Sequence, residues 1–466
     1  INKSLISVNH KPAISHIIES YPSKTEFVIA LGYKGILVKN FLQLAYPNKK
    51  FLFVIIDKYI GKGSGLSYTI LCCKKYLKKP FIFHACDTLI NGKIPKPEFN
   101  WMGFSNTKKI SNYRTITINK NKINKIYSKK RSLSNSKAYI GLSGIKDTKK
   151  FWINIEKNYQ KSLEQGEVIG LKSLIENIIK PIYFEWDDIG NIDNLNKIQN
   201  KHQKTSKINI LKKEENEIWF VNNKVIKFFK SDKSIKNIIK RNKLLHNYTP
   251  KINKSYPNLF SYNMVKGQVL ASVLNNKIFL KLLKFSNKFW KIKKITEIEK
   301  NIFIKHCLLF YKNKTFKRIS LFYKKFNIKD KKEMINHRAM PKLSELLNQV
   351  DWKNISNGIP ARFHGDFHFE NILFQKEKSK FILLDWRENF SKYLNLGDVY
   401  YDLAKLLHGI IMPHEIVNKE DYKIQINKNT INFSYKRKKE LINCEKILYK
   451  WIINNNYDLR KVKIIT

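Results

Sequence analysis

Residues 364–371 read His-Gly-Asp-Phe-His-Phe-Glu-Asn, and Asp385 closes the apolar run that begins at Phe381. Asp366 and Asn371 therefore share one loop, and a second carboxylate stands at the end of a short strand. Phosphoryl transfer from ATP needs these groups. One carboxylate orients a hydroxyl and accepts its proton, while an amide oxygen and a second carboxylate hold magnesium on the phosphates. A bland alternative is that Asp366 and Asn371 only satisfy loop backbone groups, which leaves Asp385 without a role.

The flanking sequence supplies elements to hold this loop. Arg362-Phe363 leads in and Ile372-Leu373-Phe374 leads out as a strand. Upstream, Ile218–Val221 and Lys224–Phe229 read as two strands around an Asn222-Asn223 turn. Lys227 follows Val225-Ile226 and is preferred over Lys224 and Lys230 as a phosphate-binding lysine. Neither Asp nor Glu lies between Asp232 and Glu297, so the helix glutamate that pairs with such a lysine in kinases is not visible there: either the ion pair is replaced or Lys227 is not that lysine. Residues 268–350 read as helices, with Leu270, Val273, Leu274, Phe279, Leu280 and Leu283 at helical spacing.

Three segments, His364-Gly365-Asp366 to Asn371, Leu384-Asp385, and Gly397-Asp398-Val399-Tyr400-Tyr401-Asp402-Leu403-Ala404, resemble in order and spacing the motifs of the aminoglycoside phosphotransferase and choline kinase family. The resemblance implies an α+β, two-lobed, protein-kinase-like domain over residues 217–466. It makes Asp366 the catalytic base, Asn371 and Asp385 Mg2+ ligands, and His364 a brace of the loop at the nucleotide site. Lys227 would meet the ATP phosphates. The backbone of Tyr262–Gly267, Met264 and Val265 foremost, would meet the adenine. Asp398 and Asp402 are read as caps near a helix start.

A second set of residues points to other chemistry. Strands at Phe27–Leu31, Phe51–Ile56 and Pro80–Cys86 alternate with helices, one of them running from Leu66 to about Tyr76 after the turn Gly61-Lys62-Gly63-Ser64-Gly65. The alternation predicts an α/β domain over residues 1–200 with a mostly parallel, doubly wound sheet. Ligands on such sheets bind beyond the carboxyl ends of the strands, where Asp87 falls. Asp188 follows in Glu185–Asn191. Two aspartates from separate strand ends can hold magnesium on a triphosphate, while lysines neutralise charge as a phosphate oxygen attacks the α-phosphorus. Taken singly, Asp87 reads equally as a helix cap, the glycines as an ordinary turn and Lys3 as a surface charge.

Together, Lys3-Ser4-Leu5 with Lys11-Pro12, Gly63-Ser64-Gly65-Leu66, Asp87 and Trp186-Asp187-Asp188-Ile189-Gly190 are similar to the sugar-phosphate nucleotidyltransferases, a family that includes phosphocholine cytidylyltransferases. The resemblance implies a catalytic Lys3, nucleotide contacts from Lys11, Gly63, Ser64 and Gly65, and metal ligation by Asp87 and Asp188. Members of that family open with a strand and a Gly-x-Gly-x-Arg phosphate loop. This sequence starts at Ile1, past that point. The expectation is a fragment whose transferase half is impaired as it stands. The polar stretch from Lys197 to Asn216 predicts a linker, placed at 201–216.

The 466 residues give room for two cores. With 89 Lys+Arg against 37 Asp+Glu the net charge is +52, which makes nucleic-acid binding the first class to weigh. Lysines such as Lys120, Lys122, Lys125, Lys129 and Lys130 do not alternate with aromatics as a base-stacking platform would. The charge follows a chain-wide enrichment in Lys, Asn and Ile, and no specific nucleic-acid partner is expected. No apolar run approaches the ~18 residues of a membrane span. Cys72, Cys73, Cys86, Cys307 and Cys444 form neither a Cys-x-x-Cys pair nor a zinc spacing, and read as reduced thiols of a cytoplasmic protein.

The combined expectation is a bifunctional enzyme. ATP phosphorylates a small alcohol or sugar, choline-like or an amino sugar. A nucleoside monophosphate from CTP, UTP or GTP is then joined to that phosphate, giving an activated donor for a surface glycan or lipid. Trp386, Phe390, Tyr393, Tyr400 and Tyr401 supply aromatics for a cage around a quaternary ammonium, or equally for a core. Two other readings compete: a degenerate scaffold built from both folds, and a basic nucleic-acid-modifying transferase.

Overall fold

The Lys137–Ile145 strand, buried at most of its positions, is the centre of the first unit. The structure is a computed structural model and describes residues 1–107, 110–129, 135–203, 216–427 and 430–466. It divides into two units, Ile1–Ser206 with Glu217–Phe228, and Lys207–Asn216 with Phe229–Thr466.

In the first unit the central strand pairs antiparallel with Trp101–Ser105, with Thr115–Asn119 and with Phe81–His84. Gly141 has φ +75°, within a register break between Tyr139 and Ser143. Lys137 and Ala138 pair with Ile116 and Thr115, whereas Leu142–Ile145 pair with the Phe81–His84 strand. Among the described residues, parallel pairing in this unit is confined to Phe27–Leu31 with Phe51–Ile55 and Trp101–Ser105 with Lys180–Tyr183. The sheet is thus mixed, with an antiparallel centre, and not the mostly parallel sheet expected from the strand–helix alternation. Alternation along a chain reports the order of elements, but not the direction in which a long returning strand pairs. Phe151, Trp152 and Ile155 of the Thr148–Lys157 helix pack on this sheet with Met102, Ile116, Tyr139 and Ile145.

One boundary differs from expectation. A helix spans Ile192–Gln203, so part of the stretch read as linker is ordered; Leu195 and Ile198 pack against Val8, Ala13, Ile17 and Ile189. The rest of that linker, 204–215, lies outside the described residues. The Asn216–Val221 and Lys224–Phe229 strands form the expected hairpin, which up to Phe228 is grouped with the first unit. Its turn residues Asn222 and Asn223 have φ 49° and 58°, the left-handed pair that a two-residue hairpin of this type requires. Trp219 meets Phe41 edge-on at 5.2 Å, and Lys224 Nζ and Asn222 Nδ2 donate to the carbonyls of Leu44 and Ala45 at the end of the Gly35–Ala45 helix.

The second unit is largely helical. Antiparallel strands Gln268–Val269, Ile372–Gln375 and Lys380–Leu383 form a three-stranded sheet, and Pro360–Ala361 pairs with Gly397–Asp398. The loop of residues 362–371 thus runs between two short sheets. The Val399–Ile411 helix is buried over most of its length. The long Glu297–Phe326 helix starts with a reciprocal Thr296–Glu299 cap and contributes Phe303, Cys307, Phe310 and Tyr311 to a core with Phe363, Phe390, Leu396 and Tyr401. Among the described residues no helix is long and apolar enough to cross a membrane.

Candidate functional site

In the first unit, Asp87 and Asp188 come together through backbone pairing. Glu185–Asp188 runs antiparallel to Thr88–Asn91 with Asp188 opposite Thr88, and the Ile189 N–H donates to the Asp87 carbonyl at 3.1 Å. A Cβ added to Gly190 would lie 2.6 Å from Asp188 Oδ1 and 3.4 Å from Asp87 Oδ2. Both carboxylates therefore face this glycine, and a side chain there would intrude on them. Lys3 Nζ bonds Asp87 Oδ2 at 2.7 Å. Partial burial works against the Lys3 charge, but the Asp87 bond and the charges of Asp87 and Asp188 outweigh it and raise its pKa. Asp188 accepts from the Gly190 N–H at 2.6 Å, Tyr113 OH at 2.7 Å and Asn194 Nδ2 at 3.1 Å. Burial and that Asp188 bond push the Tyr113 hydroxyl up to about 12.

The other residues expected around this centre have different partners. Lys11 pairs with Glu19 at 2.5 Å, whose other oxygen accepts from Tyr46. Gly61 and Gly63, both at positive φ, shape a turn closed by Ser64 Oγ on the Gly61 carbonyl, and Gly65 precedes the Leu66–Cys73 helix. Lys227 is buried at 3% exposure in its strand, whereas Lys224 bonds the Leu44 carbonyl and Lys230 is exposed.

In the second unit, the loop after Ala361 is fixed from below by Asp402. Its carboxylate accepts from the His364 and Gly365 N–H groups, each at 2.7 Å, and from Trp290 Nε1 at 3.0 Å. Burial pushes the Asp402 carboxyl up to about 6, against those donors and the nearby Arg241. The expectation of a cap is corrected for Asp402: Asp398 is the N-cap of this helix, and the Asp402 carboxylate holds the loop instead. Asp398 does cap the helix, accepting from the Tyr400 N–H, and it bonds Ile359 N and Tyr311 OH as well.

His364 is fully buried, its Nε2 donating to the Leu384 carbonyl at 2.7 Å and its Nδ1 accepting the Asp366 N–H at 3.3 Å. Burial lowers its pKa to about 4, so the ring is neutral. Both nitrogens are used inside the protein: His364 braces the loop and presents no free atom to a nucleotide. Leu384 N also donates to the Asn371 carbonyl at 2.7 Å. Leu384 is thus bonded to both His364 and Asn371, which sets the next residue, Asp385, at φ 52° beside the loop. Met264 and Val265 follow the Leu259–Asn263 strand, and Met264 is 45% exposed.

Asp366 itself sits among polar groups, of which Asn371 was expected from the sequence and Lys405 and His368 were not. Lys405 Nζ lies 2.8 Å from its Oδ1. Asn371 Nδ2 lies 3.2 Å and His368 Nε2 3.5 Å from its Oδ2. Asn371 also donates to the Asp366 carbonyl at 3.0 Å. Beyond them, Lys314 lies over the rings of Phe310 and Tyr401 at 4.9 and 4.4 Å, and Arg387 lies 5.0 Å from the Phe310 ring. Burial first, then the cations Arg387, Arg318 and Lys405, lower Lys314 to about 6. Trp386, Phe390, Tyr400 and Tyr401, considered for a cation cage, are core residues, and the face of Tyr401 is taken by Lys314.

His368 is charged within this cluster. Burial opposes the charge, but hydrogen bonds to Asp366 and Glu370 raise its pKa to about 9. A histidine with a raised folded pKa stabilises the fold fully below its unfolded value near 6.5, and the contribution is lost as pH rises through 9. The shift caps that contribution at roughly 3 kcal/mol. In metal-free buffer the stability difference between wild type and His368→Gln should shrink between pH 6.5 and pH 9; urea melts at the two pH values measure it. A difference independent of pH would show that His368 is neutral.

No family model matches the chain, and no curated protein does. Solved structures do. A Bacillus anthracis protein assigned as a glucose-1-phosphate thymidylyltransferase is 17% identical, over 45% of this chain and 89% of its own, at TM-score 0.38. The inositol-1-phosphate CTP transferase from T. maritima is 14% identical, over 44% and 88%, at 0.34. The CTP:phosphocholine cytidylyltransferase from Streptococcus pneumoniae is 17% identical, over 43% and 89%, at 0.35. The likeness is one of α/β fold, on the N-terminal part.

Proposed function

We propose that the chain carries two phosphate-chemistry centres that act in sequence. The first unit transfers a nucleoside monophosphate from CTP, UTP or GTP to a phosphorylated small molecule. The observation that carries this reading is the convergence of Asp87 and Asp188 on Gly190 with Lys3 on Asp87. Two carboxylates are the hard oxygen donors that Mg2+ takes. Magnesium supplied there would neutralise triphosphate charge, and Lys3, already held in the charged form, would add to that where charge builds on the α-phosphate. Asp87→Ala and Asp188→Ala should each abolish whatever pyrophosphate release the chain retains, with the fold kept. Either variant keeping wild-type release would remove the aspartates from the chemistry.

The second unit phosphorylates the small molecule from ATP. Asp366 receives the acceptor proton, and Lys405 beside it is placed to exchange this carboxylate for phosphate oxygens. Asn371 turns its amide NH2 toward Asp366, which leaves its oxygen for Mg2+ together with the Asp385 carboxylate. The cations near Asp366 (Lys405, Arg387 and Arg318) favour a neutral or anionic hydroxyl acceptor, such as a sugar or sugar acid, over a quaternary ammonium. The kinase product is then the transferase acceptor, and the pair yields an activated nucleotide-diphospho donor. This link fails if the phosphorylated product supports no nucleotidyl transfer with any of the three nucleotides.

A further inference from the structure

We propose that His368, Glu370 and His414 form a binding site for a transition-metal dication of the zinc class. One donor atom from each residue lies within 4.8 Å of the other two. His368 Nδ1 and Glu370 Oε2 are 2.9 Å apart, and the two imidazole rings lie 4.6 Å centre to centre. The Glu370 carboxylate is tied to both histidines, because its Oε1 accepts the His414 N–H at 3.2 Å. The side chains of His368 and Glu370 are 8% and 7% exposed. Two imidazoles and one carboxylate, drawn from two segments far apart in the chain, are a donor set that zinc takes with a fourth position left for water. Magnesium and calcium prefer oxygen, whereas imidazole suits zinc, cobalt, nickel and copper. Ligands about 2.1 Å from one ion sit ~3.4 Å apart, so the widest pair closes by at most ~1.4 Å and the His368–Glu370 pair opens by ~0.5 Å.

A metal on His368 Nδ1 leaves Nε2 on the Asp366 side of the ring, 3.0 Å from Asn371 Nδ2 and 3.5 Å from Asp366 Oδ2. The site would fix the ring beside Asp366 without itself touching the acceptor. It is separate from the Asn371 and Asp385 oxygens and does not depend on the kinase reading.

The test is a cobalt titration of the full, tag-free chain after treatment with EDTA and dialysis, followed by visible absorption. One equivalent of Co2+ should develop the intense bands of a four-coordinate site with nitrogen ligands, and Zn2+ should displace them. His414→Ala and Glu370→Gln should weaken Co2+ binding at least tenfold, and Asp385→Asn should leave the bands in place. Thermal melts check that the variants are folded, and His414→Gln replaces His414→Ala if the latter is not. Absence of the bands, bands that survive loss of His414, or bands lost only in Asp385→Asn would each overturn the proposal.

Discussion

Asp366→Asn should abolish acceptor-dependent ADP release while leaving the melting transition in place. The substitution keeps shape and volume, so the Asp366 backbone bonds to His364 and Asn371 persist. What it removes is the anionic group that Lys405, Asn371 and His368 all approach. An amide cannot take the acceptor proton, and loss of a positioned base typically lowers turnover 10²–10⁴-fold. The fall should appear in kcat, with ATP binding retained. A variant with full turnover would show that Asp366 only organises its loop.

The second large effect is on stability. Asp402→Ala should destabilise the second unit by about 3–5 kcal/mol, the usual consequence of removing one partner from a buried polar network. The loss strands three buried donors, His364 N–H, Gly365 N–H and Trp290 Nε1. It also removes the carboxylate nearest in charge to Arg241, which is 1% exposed. That guanidinium stacks 3.8 Å from the Phe363 ring and donates to the carbonyls of Phe363, His364, Arg387 and Leu394. Its five N–H donors suit such a set of carbonyls, which lysine could not satisfy. At this size, the expected destabilisation is a drop of roughly 10 °C in the melting transition of the unit. Calorimetry of wild type and variant measures it, and an unchanged transition would mean that water replaces the carboxylate freely.

The parts of the two centres that were legible in the sequence are those set by local chain geometry. Asp366, Asn371 and Asp385 lie on a loop and the strands that follow it, so their order along the chain is nearly their order in space. Asp87 was legible at the end of a predicted strand, Asp188 came from resemblance, and strand pairing explains why they meet. The hairpin turn was legible because Asn-Asn tolerates the left-handed backbone it adopts. Residues fixed by tertiary packing were not legible. Arg241 sits in a helix reading Lys-Asn-Ile-Ile-Lys-Arg-Asn-Lys, where one more cation looks like solvated surface. Lys405 reaches Asp366 only because the Asp402 helix is buried under the loop. His414 joins His368 through a turn that follows that helix, and no spacing rule anticipates it. The antiparallel centre of the first sheet was missed because the Lys137–Ile145 strand returns against its neighbours, a property of pairing and not of pattern.

The central claim is tested most directly by ADP release from the full chain with Mg-ATP, measured against glycerol, neutral sugars, sugar acids, ethanolamine and choline. The account predicts release stimulated by one neutral or anionic hydroxyl acceptor, absent in Asp366→Asn and weak or absent with choline. Stimulation by choline alone would contradict the reading of the cations around Asp366, and release stimulated by none of these acceptors, from a folded chain, would contradict the kinase centre itself.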